Sequence, residues 1–133
     1  MWLLDTNTCI RYLNPAPSPV RERLLARPAS AVVICDIVKA ELYYGAYKSQ
    51  RVETNLELLA RFFAQIHSLS FDERAAQQYG NLRATLERQG RLIGPYDLQI
   101  AATALVHHAR LVTHNTAEFS RVPGLPLEDW EID

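Results

Sequence analysis

Cysteine is scarce in this chain, which carries only Cys9 and Cys35. Neither has a Cys or His at metal-ligand spacing, so no zinc finger is encoded, and no disulfide framework is needed. Both fall within apolar elements, which predicts two buried free thiols. Long apolar runs are missing as well. The longest, around Ile100 to Val106, is far short of the roughly 20 residues of a membrane span. Met1-Trp2-Leu3-Leu4 meets an acid at Asp5, too soon for a signal-peptide core. The expectation is a cytoplasmic protein with no membrane association. No glycine-rich loop ending in Lys is present, which removes ATP and GTP as expected substrates. With no internal repeat or low-complexity tract, the 133 residues are expected to form a single domain, 1–133.

What is present is an ordinary globular composition, 48% hydrophobic and 22% charged. Net charge is −1, but its distribution is uneven. Glu128, Asp129, Glu131 and Asp133 crowd the last six positions, leaving 11 acidic residues against 14 basic ones elsewhere, a net of +3. Charge alone therefore argues neither for nor against a nucleic-acid partner.

Strands and helices alternate along the chain. Trp2-Leu3-Leu4 reads as a short strand ending at Asp5, and Asn7 to Leu13 as a short helix stopped by Asn14-Pro15. Pro19 is placed to start a helix over Val20 to Ala26. Ala31 to Ile34 is the second strand, and Asp36 is placed to cap a helix from Ile37 to about Tyr47. Leu56, Leu59, Ala60 and Phe63 mark another amphipathic helix, and Ile66 to Leu69 a short strand. Ser70 with Glu73 suggests a capping box for a helix that Gly90 closes. Gly94-Pro95 starts a long helix through His108, Leu111 to Thr113 is a strand, and Thr116 is placed to cap a turn to Phe119. Alternation of this kind, with strands apolar throughout, predicts an α/β fold whose central, mostly parallel sheet is flanked by helices on both faces. Function in such sheets gathers at the carboxyl ends of the strands, which here means Asp5 and His114-Asn115.

Three acids occupy positions that periodicity assigns to the interior or its edge. Glu41 shares the inward stripe of Ile37, Val38, Leu42 and Gly45. Asp97 precedes Ile100, Ala101, Ala104 and Leu105 on one face, and Asp5 follows three large apolar residues. Each has a bland reading: Asp5 as a cap, Asp97 as a complement to the helix dipole. Glu41 gains nothing from capping. Together they would repel one another unless a divalent cation joined them. An all-carboxylate set suits Mg²⁺ or Mn²⁺, whereas zinc would call for His or Cys. His107 and His108 are adjacent on a helix and cannot chelate together. His114 lies near the crevice, where an exposed loop position is its plainer reading. Such a cluster in a crevice fits hydrolysis of phosphodiester bonds.

These residues resemble a known family. Leu3-Leu4-Asp5-Thr6-Asn7, Lys39-Ala40-Glu41-Leu42, Gly94-Pro95-Tyr96-Asp97 with Ile100-Ala101-Ala102, and Leu111-Val112-Thr113-His114-Asn115 through Glu118-Phe119 are similar to the PIN-domain nucleases. More narrowly they resemble the VapC-type toxins of bacterial toxin–antitoxin pairs. The resemblance implies an endoribonuclease dependent on Mg²⁺, with Mn²⁺ able to substitute, and matches Asp5, Glu41 and Asp97 to the metal-binding acids. Where many members carry a fourth Asp this chain has Asn115, and the nearest acid is Glu118, which similar toxins with Asn there use instead. Thr6 and Thr113 match hydroxyl residues that order the site. Arg88-Gln89-Gly90-Arg91 resembles the subgroup that cuts initiator tRNA in its anticodon stem-loop. The resemblance further implies a homodimer and a small VapB-type antitoxin, joined in a hetero-oligomer, with the antitoxin tail lying over the active site near Tyr43, Tyr44, Tyr47 and the Leu56 to Phe63 stripe.

Two other readings compete. An aspartyl-phosphate phosphatase would want a second Asp where Asn7 stands, and a receiver domain a Lys after the last strand. A catalytically inactive PIN-like module that binds only RNA or protein is the non-enzymatic alternative, against which the three intact acids argue.

Overall fold

In the computed structural model, which describes residues 1–132, the apolar triplet Trp2–Leu4 becomes β1, the middle strand of a five-stranded sheet. The helix α1 (Thr6–Leu13) follows at once, then α2 (Pro19–Leu25), β2 (Val32–Cys35), α3 (Asp36–Lys48) and α4 (Val52–Phe63). The second half runs β3 (His67–Leu69), α5 (Glu73–Arg88), α6 (Pro95–Val106), β4 (Arg110–Val112), α7 (Thr116–Phe119) and β5 (Leu127–Glu128). Strand order is β3-β2-β1-β4-β5 and every pairing is parallel, with Leu3 beside Val33 on one side and Leu111 on the other. All four residues of β2 are buried, as expected of strands covered on both faces. Strands β2 and β3 lie on one side of β1 and β4 and β5 on the other, so the crevice between the carboxyl ends of β1 and β4 is the topological switch point.

The helix starts depart from expectation in instructive ways. Cys35, not Asp36, holds the cap position of α3; Asp36 is its first residue, and its Oδ1 accepts from Ser68 Oγ at 2.6 Å. The Ser70 capping box is replaced by Asp72, whose Oδ1 accepts from the Ala75 amide at 3.0 Å, because a carboxylate sits next to the first turn. Asn115 rather than Thr116 stands at the start of α7. Ala31 belongs to a 3₁₀ turn over Ala29–Ala31, so β2 begins one residue later. Helix α6 stops at Val106, because His108 turns into the left-handed region at φ +54°. On α3 the third inward residue is Ala46, with Gly45 only half-buried. Gly90 closes α5 as expected: at φ +65° it lets its own amide reach the Glu87 carbonyl (3.1 Å) and that of Arg91 reach Leu86 (2.8 Å).

Candidate metal-binding active site

Each of the four acids comes from a different element, and the fold carries them to the same end of the sheet. Asp5 follows β1 and is 5% exposed. Its amide donates to the Val112 carbonyl of β4 (3.1 Å), which fixes it at the switch point. Its Oδ1 accepts from the Thr8 amide at 2.9 Å, so Asp5 does cap α1. Capping uses one oxygen and is compatible with ligation by the other. Glu41 lies half-buried on α3, where its Oε1 accepts from Thr6 Oγ1 at 2.7 Å. Thr6 therefore orients Glu41 across 35 residues of sequence.

Asp97 stands in the first turn of α6. Its pKa is raised from 3.8 to about 6, first by burial and then by the negative charges of Glu118, Glu41 and Asp5. Charges from three other elements thus act on Asp97. Glu118, on α7, accepts from the Gly94 amide (3.3 Å) through Oε1 and from Asn115 Nδ2 (2.6 Å) through Oε2. Thr113 is fully buried, and its Oγ1 accepts from the Asn115 amide at 3.0 Å. The two candidates for the fourth corner are thus bonded to each other on a loop that Thr113 pins.

The carboxylates share a field without meeting at a point. Among the described residues, no three His, Cys, Asp or Glu side chains converge at the spacing of a closed metal site. Thr6 holds Glu41 on α3, while the Gly94 amide and Asn115 hold Glu118 on α7. The donor chemistry still selects the ion. Burial pushes the Cys9 thiol well above its usual pKa and the Cys35 thiol up to about 11, so neither offers a thiolate at neutral pH. His114 Nδ1 faces Asp129 Oδ2 at 3.0 Å. What remains around Asp97 is carboxylate oxygen, the donor set of a hard divalent cation.

Two clefts flank the acids. One, of about 500 Å³, is lined by Ile37, Ala40, Glu41, Tyr44 and Tyr96. The other, of about 530 Å³, contains Asp5, Asn7, Arg11, Asn14, His114 and Asn115. The tyrosines do not act together: Tyr44 lines the first cleft, whereas Tyr43 packs edge-on against Phe63 with centroids 5.2 Å apart. In the Leu56 to Phe63 stripe, Leu58 and Leu59 line a smaller groove with Ile10, Leu13 and Leu42. Sequence reasoning missed Tyr96 as a cleft residue and Arg11 as a cation on the rim. Tyr96 carried a signal, since it directly precedes Asp97. Arg11 carried a weaker one, on the helix that Asp5 caps.

An open parallel α/β domain with a four-acid crevice at its switch point defines a class, and comparison narrows it. A PIN-domain family model matches residues 2–125. The tRNA(fMet)-specific endonuclease VapC of Shigella flexneri is 43% identical over 129 residues, 97% of each chain. The structure superposes on a chain of DNA-bound VapBC from Salmonella typhimurium with a TM-score of 0.91 at 40% identity, covering 97% of both. It does so on VapBC2 of Rickettsia felis bound to a promoter DNA fragment with a TM-score of 0.90 at 38% identity, covering 97% of this chain and 98% of the other. The chain belongs to the PIN-domain family, in its VapC branch. No helix among the described residues is long and apolar enough to cross a membrane.

Proposed function

We propose that this chain is a toxin endoribonuclease that cuts RNA at a Mg²⁺- or Mn²⁺-dependent site formed by Asp5, Glu41, Asp97 and Glu118. The observation that carries the reading is geometric: in a PIN-domain chain, Thr6 bonds Glu41 beside Asp5 at the end of β1, and Asn115 and the Gly94 amide bond Glu118 beside the start of α6, where Asp97 stands. Thr6 orients Glu41, and Thr113 with Asn115 orients Glu118. A bound divalent ion would supply an activated water and stabilise charge on the scissile phosphate and the leaving oxygen. The chain's own part is to hold carboxylates in a partly desolvated crevice, where their interaction with a cation exceeds that in bulk water. The flanking clefts leave room for the nucleotides on either side of the bond. The Shigella relative's specificity, with the Arg88-Gln89-Gly90-Arg91 segment, supports initiator tRNA as the substrate. The VapBC complexes support a VapB-type antitoxin as the partner; a hetero-oligomer with a toxin homodimer is what the family resemblance implies.

Purified protein is incubated with labelled total tRNA, with Mg²⁺ and with EDTA. Metal-dependent cleavage of an initiator tRNA anticodon stem-loop is expected, and Asp97→Asn abolishes it. Absence of cleavage in any metal, with Asp5→Asn binding RNA as the parent does, would make the protein an RNA-binding module instead.

A further inference from the structure

A phosphodiester approaching four carboxylates meets repulsion that a bound cation only partly offsets. The cleft that Asp5 lines also carries a counterweight. Arg11, in the last turn of α1, is about half exposed, and its Nε lies 3.4 Å from Glu131 Oε1. His114 lines the same cleft, 3.0 Å from Asp129 and 4.0 Å from Glu131. The acidic segment that supplies both carboxylates is firmly seated. The Glu131 amide donates to Asp129 Oδ1 (2.9 Å), and Arg23 Nη1 donates to the Asp129 carbonyl (3.0 Å). Glu131 is therefore presented to Arg11 by a built turn, over a cleft roomy enough for a nucleotide backbone.

We propose that Arg11 binds a backbone phosphate of the RNA substrate flanking the scissile bond, and that Glu131 occupies that phosphate's place in the free protein. The inference rests on the nuclease reading above. Three features favour RNA as the occupant. The cleft opens directly onto Asp5 and Asn115, so a chain lying in it is already at the acids. A guanidinium presents planar, charge-assisted donors that suit a phosphate as well as a carboxylate. Asn7 and Asn14 line the same cleft and bring neutral carboxamide N–H donors to it. An ion pair whose Arg is half exposed is weak, so an incoming phosphate exchanges for Glu131 at little cost.

The test scores binding of a labelled single-stranded oligoribonucleotide in the non-cleaving Asp5→Asn background, so a failure of cleavage bears on the nuclease reading and leaves this comparison intact. Arg11→Gln is expected to weaken binding about 3- to 10-fold and to reduce the dependence of log K on log salt by about 0.7, the share of one single-strand phosphate contact. Arg11→Lys is expected to restore most of the salt slope. Glu131→Gln is expected to tighten binding about 2- to 5-fold, and that gain should vanish in the Arg11→Gln, Glu131→Gln double variant, because the two residues act as a pair. In the cleaving protein, Arg11→Gln should raise KM with little change in kcat. An unchanged affinity and salt slope for Arg11→Gln would overturn the proposal. So would a Glu131→Gln gain that persists without Arg11, since that is only the general effect of removing negative charge. A Glu131→Gln variant that melts earlier and binds no tighter would make the segment a structural strap, and would overturn it as well.

Discussion

Two regions of this molecule hold carboxylates against apolar surroundings, and they treat them in opposite ways. At the C-terminal edge, Glu128 Oε2 accepts from Trp2 Nε1 (2.8 Å) and pairs with Arg110 (3.1 Å), while Oε1 accepts from Trp130 Nε1 (3.1 Å) and pairs with Arg27 (3.5 Å). The Arg27 guanidinium lies over both indoles, 4.7 Å from Trp2 and 4.4 Å from Trp130. Burial pushes the Glu128 pKa up, but the two indole donors and the charges of Arg110 and Arg27 outweigh it and hold it below its usual value. In the crevice, no ion pair reaches Asp5, Glu41, Asp97 or Glu118 among the described residues, and Asp97 is pushed the other way. An acid that completes the fold carries its cations within the chain. An acid left without them is available to a cation from outside.

The largest effect that tests this contrast is on catalysis. Asp5→Asn keeps a good capping residue at the start of α1 and removes one anionic ligand. Metal-dependent RNA cleavage should fall by about 10³-fold or more, the scale of several kcal/mol at about 1.4 kcal/mol per decade. Its melting temperature should stay within about 2 °C of the parent's, about half of 1 kcal/mol for a chain this size. A variant that cuts at the parent's rate would remove Asp5 from the site.

Next in size is Glu128→Ala, which strands two indole donors and two guanidiniums. At about 1–3 kcal/mol for an unsatisfied buried donor, and with partial solvent relief, the cost should be about 2–4 kcal/mol, a fall in Tm of about 10 °C. Cleavage measured well below that Tm should be unchanged. Because the folded pKa of Glu128 is depressed, its contribution is present above the ordinary value of 4.5 and is lost as pH falls below it. A Tm unmoved by the substitution would mean that the cluster is ornamental.

The site was more legible in the sequence than the cluster around Glu128, for a physical reason. Asp5, Glu41 and Asp97 break an apolar period that a few neighbouring residues establish, so each is visible from its own element. The bonds of Glu128 to Trp2 span 126 residues, and no local pattern encodes them. Strand β5 was invisible for the same reason: two residues after Pro126 gain strand geometry only by pairing with β4. The Ser70 and Thr116 capping assignments failed because capping residues lie together there and only the final backbone selects among them, and the Asp36 assignment failed because α3 begins at Asp36 itself, directly after extended Cys35. Glu118 sat in between, seen as the acid near Asn115 but without the amide of Gly94 that fixes it.

Asp97 supplies the opposite pH signature to Glu128. Its folded pKa of about 6 lies above the ordinary 3.8. Between those values the folded state keeps a proton that the unfolded state loses, so metal-free stability falls as pH rises through the window. Above about 6 the penalty is complete. For a half-exposed group solvent screening reduces it to about 1 kcal/mol, so Asp97→Asn should be more stable than the parent by about that amount at pH 7.5 and no more stable at pH 3.5. Mg²⁺ at about 100 times its Kd should add about 2.7 kcal/mol to the parent and far less to the variant. Thermal melts at the two pH values, with and without metal, decide it; an Asp97→Asn protein less stable at pH 7.5 would mean that Asp97 is paired after all.

The smallest expected difference lies at the fourth corner. Asn115 and Glu118 are joined at 2.6 Å, so either substitution disturbs the other residue. Asn115→Ala removes a donor and leaves the Glu118 charge in place, still held by the Gly94 amide. Glu118→Gln keeps the side-chain volume and deletes the charge. If the crevice acts through carboxylates, Glu118→Gln should weaken Mn²⁺ affinity about 3- to 10-fold, and Asn115→Ala by no more than about 2-fold, since an exposed neutral donor contributes little beyond orientation. Glu118→Gln should also lower the pKa of Asp97, because Glu118 is the first of the charges that raise it. Calorimetric metal titration together with a carbon-detected carboxylate titration of Asp97 reads both effects. If Asn115→Ala loses more affinity while Glu118→Gln leaves the Asp97 titration unmoved, the fourth ligand is the amide oxygen of Asn115, and Glu118 belongs with the acids that only brace the fold.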